Sequence, residues 1–219
     1  LVDGEWQLEL DVPPDLAHFT GHFPQTPVLP GVVQIDWAQQ LARSLPHSDI
    51  YMLAYRGYGA SEGEPTQELM ELDAAALFDE VRRLHPQLPI TVIGRSLGTG
   101  VAAAVADLRQ PDQLVLVTPF DSILNTVRGM YGWLPVELLL RDPFDSAAHL
   151  RNYHGPILVL RAGRDQVVQP ERTDALLHSL RDKAVQVQAF AQANHSTIFR
   201  ANGFWSAIEQ FVDGHHKAA

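Results

Sequence analysis

From Ile50 onward the chain repeats one pattern. A short run of apolar residues is followed by a glycine-bearing turn, then by a segment with apolar positions every three or four residues. IYMLAY (Ile50–Tyr55), ITVIG (Ile90–Gly94), LVLVTP from Leu114, PILVLRAG from Pro156 and VQVQAF (Val185–Phe190) read as five strands. Nearly continuous apolar runs of this kind predict strands buried on both faces, IYMLAY among them. Helices are predicted over Glu68–Leu84, over the Gly/Ala-rich segment after Gly94, around Ala175–Leu180 and over Phe204–Val212. Strands alternating with helices predict an α/β fold, with a mostly parallel sheet covered by helices on both faces.

The first third reads differently. Trp6 to Val12 alternates apolar and polar residues, as a half-buried strand does. Pro13, Pro14, Pro24, Pro27 and Pro30 hold an irregular loop that Gly31 ends. VVQIDWAQQLARSL (Val32–Leu45) then has helical spacing, with Val33, Trp37 and Leu41 on one side and Ile35 beside them.

Composition narrows the classes. With 219 residues, 46% of them hydrophobic, the chain supports one sizeable core. The net charge of -10 and the absence of a Lys/Arg cluster argue against nucleic-acid binding. The lack of cysteine excludes disulfides, thiolate nucleophiles and cysteine-based zinc sites. No metal and no cofactor is expected. No apolar run is long enough for a membrane span, and LVDGEWQLELD does not read as a secretory leader, so a cytoplasmic location is expected.

The chemistry-bearing stretch is VIGRSLGTGVAAA. Ser96 stands in G-x-S-x-G between Gly94 and Gly98, after an apolar strand and before a helix. A turn that tight needs small neighbours, and it lifts the hydroxyl to a helix N-terminus where the Leu97 N–H is free for an oxyanion. Asp165 in RAGRDQVV falls just past a strand's C-terminal end, where open α/β sheets carry functional groups. His195 in QANHSTIF follows the last strand. The chain order Ser96, Asp165, His195 suits a nucleophile, an orienting acid and a base. Asp142 and Asp145 read as helix caps that could stand in as the acid. His149, His154 and His178 read as solvated, His215 and His216 as a tail, and Arg95 as structural, with an anionic substrate as its functional alternative.

From Ile50 to about Val212 the chain resembles the α/β-hydrolase superfamily, in particular its small serine hydrolases with a short helical cap. YRGYGASEGEPT, VIGRSLGTGVA, RDPFDS, PILVLRAGRDQVV and NHSTIF carry the resemblance. It implies Ser96, Asp165 and His195 as catalytic triad, a cap over 122–142, and a small-molecule carboxylic ester or thioester as substrate.

GHFPQTPVLPGVVQIDWAQQLA resembles the active-site segment of hotdog-fold 3-hydroxyacyl-acyl-carrier-protein dehydratases over about residues 6–43. That resemblance implies His22 and Asp36 as a dehydratase pair. A hotdog needs a long antiparallel sheet, and the strands after Pro46 alternate with helices instead. The chain therefore reads as a join: a dehydratase-like segment at 1–45 packed onto one α/β-hydrolase-like domain that lacks its first strands, within residues 1–219. The hydrolase loop that supplies the second oxyanion donor is replaced by TGHFPQTPVLPG, where the N–H of Phe23 or His22 is the substitute on offer. A sheet lacking an edge exposes pairing groups, so homodimerisation is an expectation. Three functional readings stand open: an active serine hydrolase, an inactive α/β scaffold, and a dehydratase.

Overall fold

A computed structural model of the protein describes residues 39–45, 48–58, 61–130 and 141–216. These belong to the second of two units into which the chain divides, Ala38–Ala219. The predicted strand at Trp6–Val12, the proline loop with His22 and Phe23, Asp36, Gly59 and residues 131–140 of the cap lie outside the described residues. So does the packing of the 1–45 segment, of which a helical stretch at 39–44 is described.

Among the described residues four strands form one parallel sheet in the order β1-β2-β3-β4: Thr91–Arg95, Gln113–Val117, Ile157–Ala162 and Val185–Phe190. The register sets Ile93 beside Val115, Val115 beside Leu158, and Val159 beside Val187. The α-helices are α1 (Gln67–Leu84), α2 (Leu97–Arg109), α3 (Ile123–Met130), α4 (Ser146–His149), α5 (Pro170–Ser179) and α6 (Phe204–His216).

Period-two alternation divides the strand side chains between two helical layers. On one face Leu114, Leu116, Ile157 and Val159 pack with Ala102, Ala103 and Ala106 of α2, with Leu150 and Tyr153 after α4, and with Leu176 of α5. The run of alanines lets α2 approach the strands closely, and Ala103, Ala104 and Ala106 are fully buried. The opposite face meets α6. The buried Gln113 side chain donates to the Phe211 and Val212 carbonyls at 3.3 Å, and the Phe190 and Phe204 rings lie 5.8 Å apart. Every residue of β2 is buried, as expected for a strand inside a parallel sheet.

One predicted strand is not formed. IYMLAY has no regular structure, and Tyr51 and Met52 are exposed. A strand exists by the ladder bonds of its neighbours, not by its apolar content. Among the described residues β1 is paired with β2 alone, and IYMLAY is not laddered to its other edge. The turn that follows is nonetheless anchored. The Arg56 guanidinium grips Asp73 of α1 with Nε 2.7 Å from Oδ2, which ties YRGYG to the helical layer.

The segment 122–142 leaves and re-enters the fold at one place. Ser122 and Asp145 form an antiparallel bridge, and the Ile123 N–H donates to the Pro143 carbonyl at 2.9 Å. Asp142 Oδ1 accepts the Gln67 N–H at 2.7 Å, and Gln67 Oε1 accepts the Phe144 N–H at 2.9 Å, which pins the returning chain to the start of α1.

Candidate active site

The turn from β1 into α2 creates the site. Ser96 has φ 52° and ψ -123°, a left-handed conformation that costs a non-glycine residue about 1–3 kcal/mol. Surrounding bonds hold it there. Its N–H donates to the Val117 carbonyl at 3.0 Å, and its own carbonyl accepts from the Thr99 N–H at 2.8 Å and the Thr99 hydroxyl at 2.6 Å. Of the flanking glycines, Gly94 is required by contact. A Cβ at Gly94 would run into the Gly98 carbonyl and lie 2.7 Å from Ala102 Cβ. The strand therefore passes the helix at backbone distance, and the serine side chain stands clear of the sheet.

Two further loops converge on this turn. Asp165 follows β3, is 6% exposed, and is fixed by the Val167 and Val168 N–H groups, both 2.9 Å from Oδ1. Its other oxygen, Oδ2, lies 2.8 Å from His195 Nδ1. His195 sits between β4 and a short 3-10 turn, Ile198–Arg200. The loop before that turn is organised by Asn194, whose Oδ1 accepts the Ser196 N–H at 3.0 Å and the Thr197 N–H at 2.9 Å. His195 Nε2 is 2.9 Å from Ser96 Oγ. A carboxylate oxygen accepts, so Nδ1 is assigned the ring proton and Nε2 is left to accept from the serine hydroxyl.

Leu97 opens α2, where the first N–H groups have no carbonyl behind them to bond. Beside it, the Tyr55 hydroxyl stands over the first helical turn, 3.2 Å from where a Gly98 Cβ would be. Burial, and then the neighbouring Tyr58, push the Tyr55 phenol up to about 12.

The remaining predicted residues separate clearly. Asp142 and Asp145 are caps: Asp142 serves α1, and Asp145 Oδ1 accepts the Ala148 N–H of α4 at 2.8 Å. His154 and His178 are exposed. His149 departs from the solvated reading. It is half-buried between Glu71 of α1, 3.6 Å away, and Asp107 of α2, 3.1 Å away. The Glu71 carboxylate, joined by Asp107, raises its pKa above the ordinary 6.5 despite the opposing effect of burial. Helix spacing alone does not reveal this, because the two carboxylates come from different helices. Arg95 reaches the neighbouring loop: its Nη2 donates to the His195 carbonyl at 2.7 Å. Tyr55 and the two valine amides carry no motif in the sequence, although an aspartate accepting the amides two and three residues on is a recognised turn habit. His22, Phe23 and Asp36 fall outside the described residues, and the described residues hold no cluster able to bind a metal ion.

The family model for serine aminopeptidase, S33, matches residues 32–141, half of the chain. The chain belongs to this α/β-hydrolase family. A second family model, for ApeI dehydratase, matches residues 2–55 and overlaps the first. An uncharacterized protein of Mycobacterium tuberculosis is 33% identical over 130 residues, which cover 58% of this chain and 46% of that protein. A lysophosphatidylserine lipase of Xenopus tropicalis is 27% identical over 185 residues, or 72% of this chain and 48% of the lipase. This chain thus spans about half the length of these relatives. Among solved structures, an esterase of Pyrococcus furiosus aligns over 87% of this chain and 77% of its own, with a TM-score of 0.63 and 17% identity, a likeness of fold. Among the described residues no helix is long and apolar enough to cross a membrane.

Proposed function

We propose that this hydrolase cleaves carboxylic esters or thioesters through an acyl-enzyme formed on Ser96. The observation that carries the reading is the unbroken line of hydrogen bonds Asp165 Oδ2–His195 Nδ1 (2.8 Å) and His195 Nε2–Ser96 Oγ (2.9 Å). In the first half-reaction Nε2 takes the hydroxyl proton as Oγ bonds to the substrate carbonyl carbon. Asp165 holds the ring in the tautomer that allows this and stabilises the imidazolium formed. The carbonyl π electrons move onto oxygen, beside the Leu97 N–H at the positive end of α2. The C–O or C–S bond then breaks, and the leaving alkoxide or thiolate takes the Nε2 proton. Water repeats the sequence in reverse sense and releases the carboxylic acid and Ser96.

Ester chemistry is supported from two further sides. The lipase and the esterase named above act on esters by their own names, and Ser122 is bridged to Asp145, so the chain on either side of the 122–142 segment comes together as the base of a cap would. Small-molecule esters and thioesters are therefore the substrate class proposed.

Intact-mass measurement after treatment with a fluorophosphonate tests the reading, with Ser96→Ala run in parallel. One adduct on the parent protein that is absent from the variant is the expected result. A folded parent protein that takes no adduct would overturn it and leave an inactive α/β scaffold. Dehydration of a 3-hydroxyacyl thioester that survives Ser96→Ala and is lost in His22→Ala would assign the activity to the N-terminal segment instead.

A further inference from the structure

We propose that Arg95 is a positioning residue for the base: its guanidinium holds His195 at the distance from Ser96 that proton transfer requires. The proposal rests on the serine-hydrolase reading above and adds a residue to it.

The sheet order creates the need. Ser96 follows β1 and His195 follows β4, at opposite ends of a four-stranded sheet. Three inter-strand spacings of about 4.8 Å separate those ends, so the loop bearing His195 must reach back over β2 and β3. Local bonds shape that loop but do not direct it towards β1. Asn194 organises it internally, and the Arg164 N–H ties it to the loop of Asp165 through the Ala193 carbonyl at 2.9 Å. Among the described residues, two hydrogen bonds join the loop to the end of β1. One is the Ser96–His195 bond itself, which must loosen and re-form in each turnover. The other runs from Arg95 Nη2 to the His195 carbonyl at 2.7 Å, across 100 residues of sequence.

The arginine is poorly placed as a mere stabiliser. Its Nε is buried without a hydrogen-bond partner. Burial pulls the guanidinium below its ordinary pKa, and the charge of Asp165 only opposes this. Burying a cation with an unmet N–H destabilises a fold unless something else requires it. The requirement visible here is the His195 main chain.

Three variants separate the roles. Arg95→Met removes donor and charge, Arg95→Gln keeps a shorter neutral donor, and Arg95→Lys keeps charge and reach. Each is assayed for kcat and KM on one neutral and one anionic ester, and for its rate of fluorophosphonate labelling. The downfield proton resonance of the His195–Asp165 bond is recorded in parallel. The expected result for Arg95→Met is a fall of about 10–100-fold in kcat and labelling rate with KM unchanged on both esters. The downfield resonance should broaden or vanish, and Arg95→Lys should recover most of the rate. A rise in KM for the anionic ester alone would overturn the proposal in favour of substrate binding. A lower melting temperature, with labelling rate per folded molecule and the resonance unchanged, would reduce Arg95 to a structural part. If the parent protein takes no label, the hydrolase reading fails; the resonance still reads whether Arg95 positions the ring, and its persistence in Arg95→Met would overturn the proposal separately.

Discussion

Ser96 occupies a backbone conformation that its own chemistry does not favour, and the residues around it are selected to allow this. Gly94 is the sharpest case. Alanine there would meet the Gly98 carbonyl and Ala102 Cβ, neither at the end of a flexible side chain. Gly94→Ala is expected to destabilise the protein by about 1–3 kcal/mol and to lower the labelling of Ser96, as measured by urea denaturation and by mass. Asp165 makes a different prediction. It is nearly buried, and three bonds converge on its two oxygens. Asp165→Asn keeps the shape but presents an amide that favours the wrong imidazole tautomer. The expected loss in kcat is on the order of 10⁴, with KM little changed, in a steady-state ester assay. A loss below tenfold would mean that Asp165 is not the group that orients His195.

At the scale of elements, the helical layer is held by polar contacts between helices as well as by the alanine-lined packing. His149 of α4 lies between Glu71 of α1 and Asp107 of α2, and Gln67 also donates to Glu71 at 2.7 Å. Both carboxylates favour the imidazolium, so the folded pKa lies above 6.5. The sign follows: the added stability is fully present below about pH 6.5 and is lost as pH rises through the folded value. His149→Gln should therefore cost more stability at about pH 5.5 than at pH 9. Urea midpoints at the two pH values read this directly, and an equal cost at both would refute the charge-based account. Tyr153 offers a neutral comparison. Its buried hydroxyl donates to the Pro111 carbonyl at 3.0 Å, joining the segment after α4 to the turn before β2. Tyr153→Phe strands that carbonyl, and a pH-independent loss of about 1–2 kcal/mol is expected by urea denaturation.

At the scale of the whole molecule, burial among the described residues is most complete on β2 and β3, whose Leu114, Val115, Leu116, Val117, Ile157, Val159 and Leu160 are fully buried. Leu116→Ala should cost about 2–5 kcal/mol by urea denaturation, whereas Val187→Ala on the half-exposed β4 should cost under about 1 kcal/mol. What could be read from sequence follows the same division. The strands at 90–94, 114–117, 157–162 and 185–190 and the helices between them were legible because their patterns are local: apolar runs of strand length, then three-to-four spacing. Ser96, Asp165 and His195 were legible as candidates because a strand-to-helix turn dictates glycines and because strand ends are where such loops fall. Only the tertiary structure decided the distances among them, since each arrives on a different loop and their separation depends on sheet order. It also decided that IYMLAY forms no strand, because a ladder needs a neighbour that composition cannot supply. It placed His149 between two carboxylates from two helices, and it turned Arg95 towards His195, a contact spanning 100 residues that no local pattern encodes.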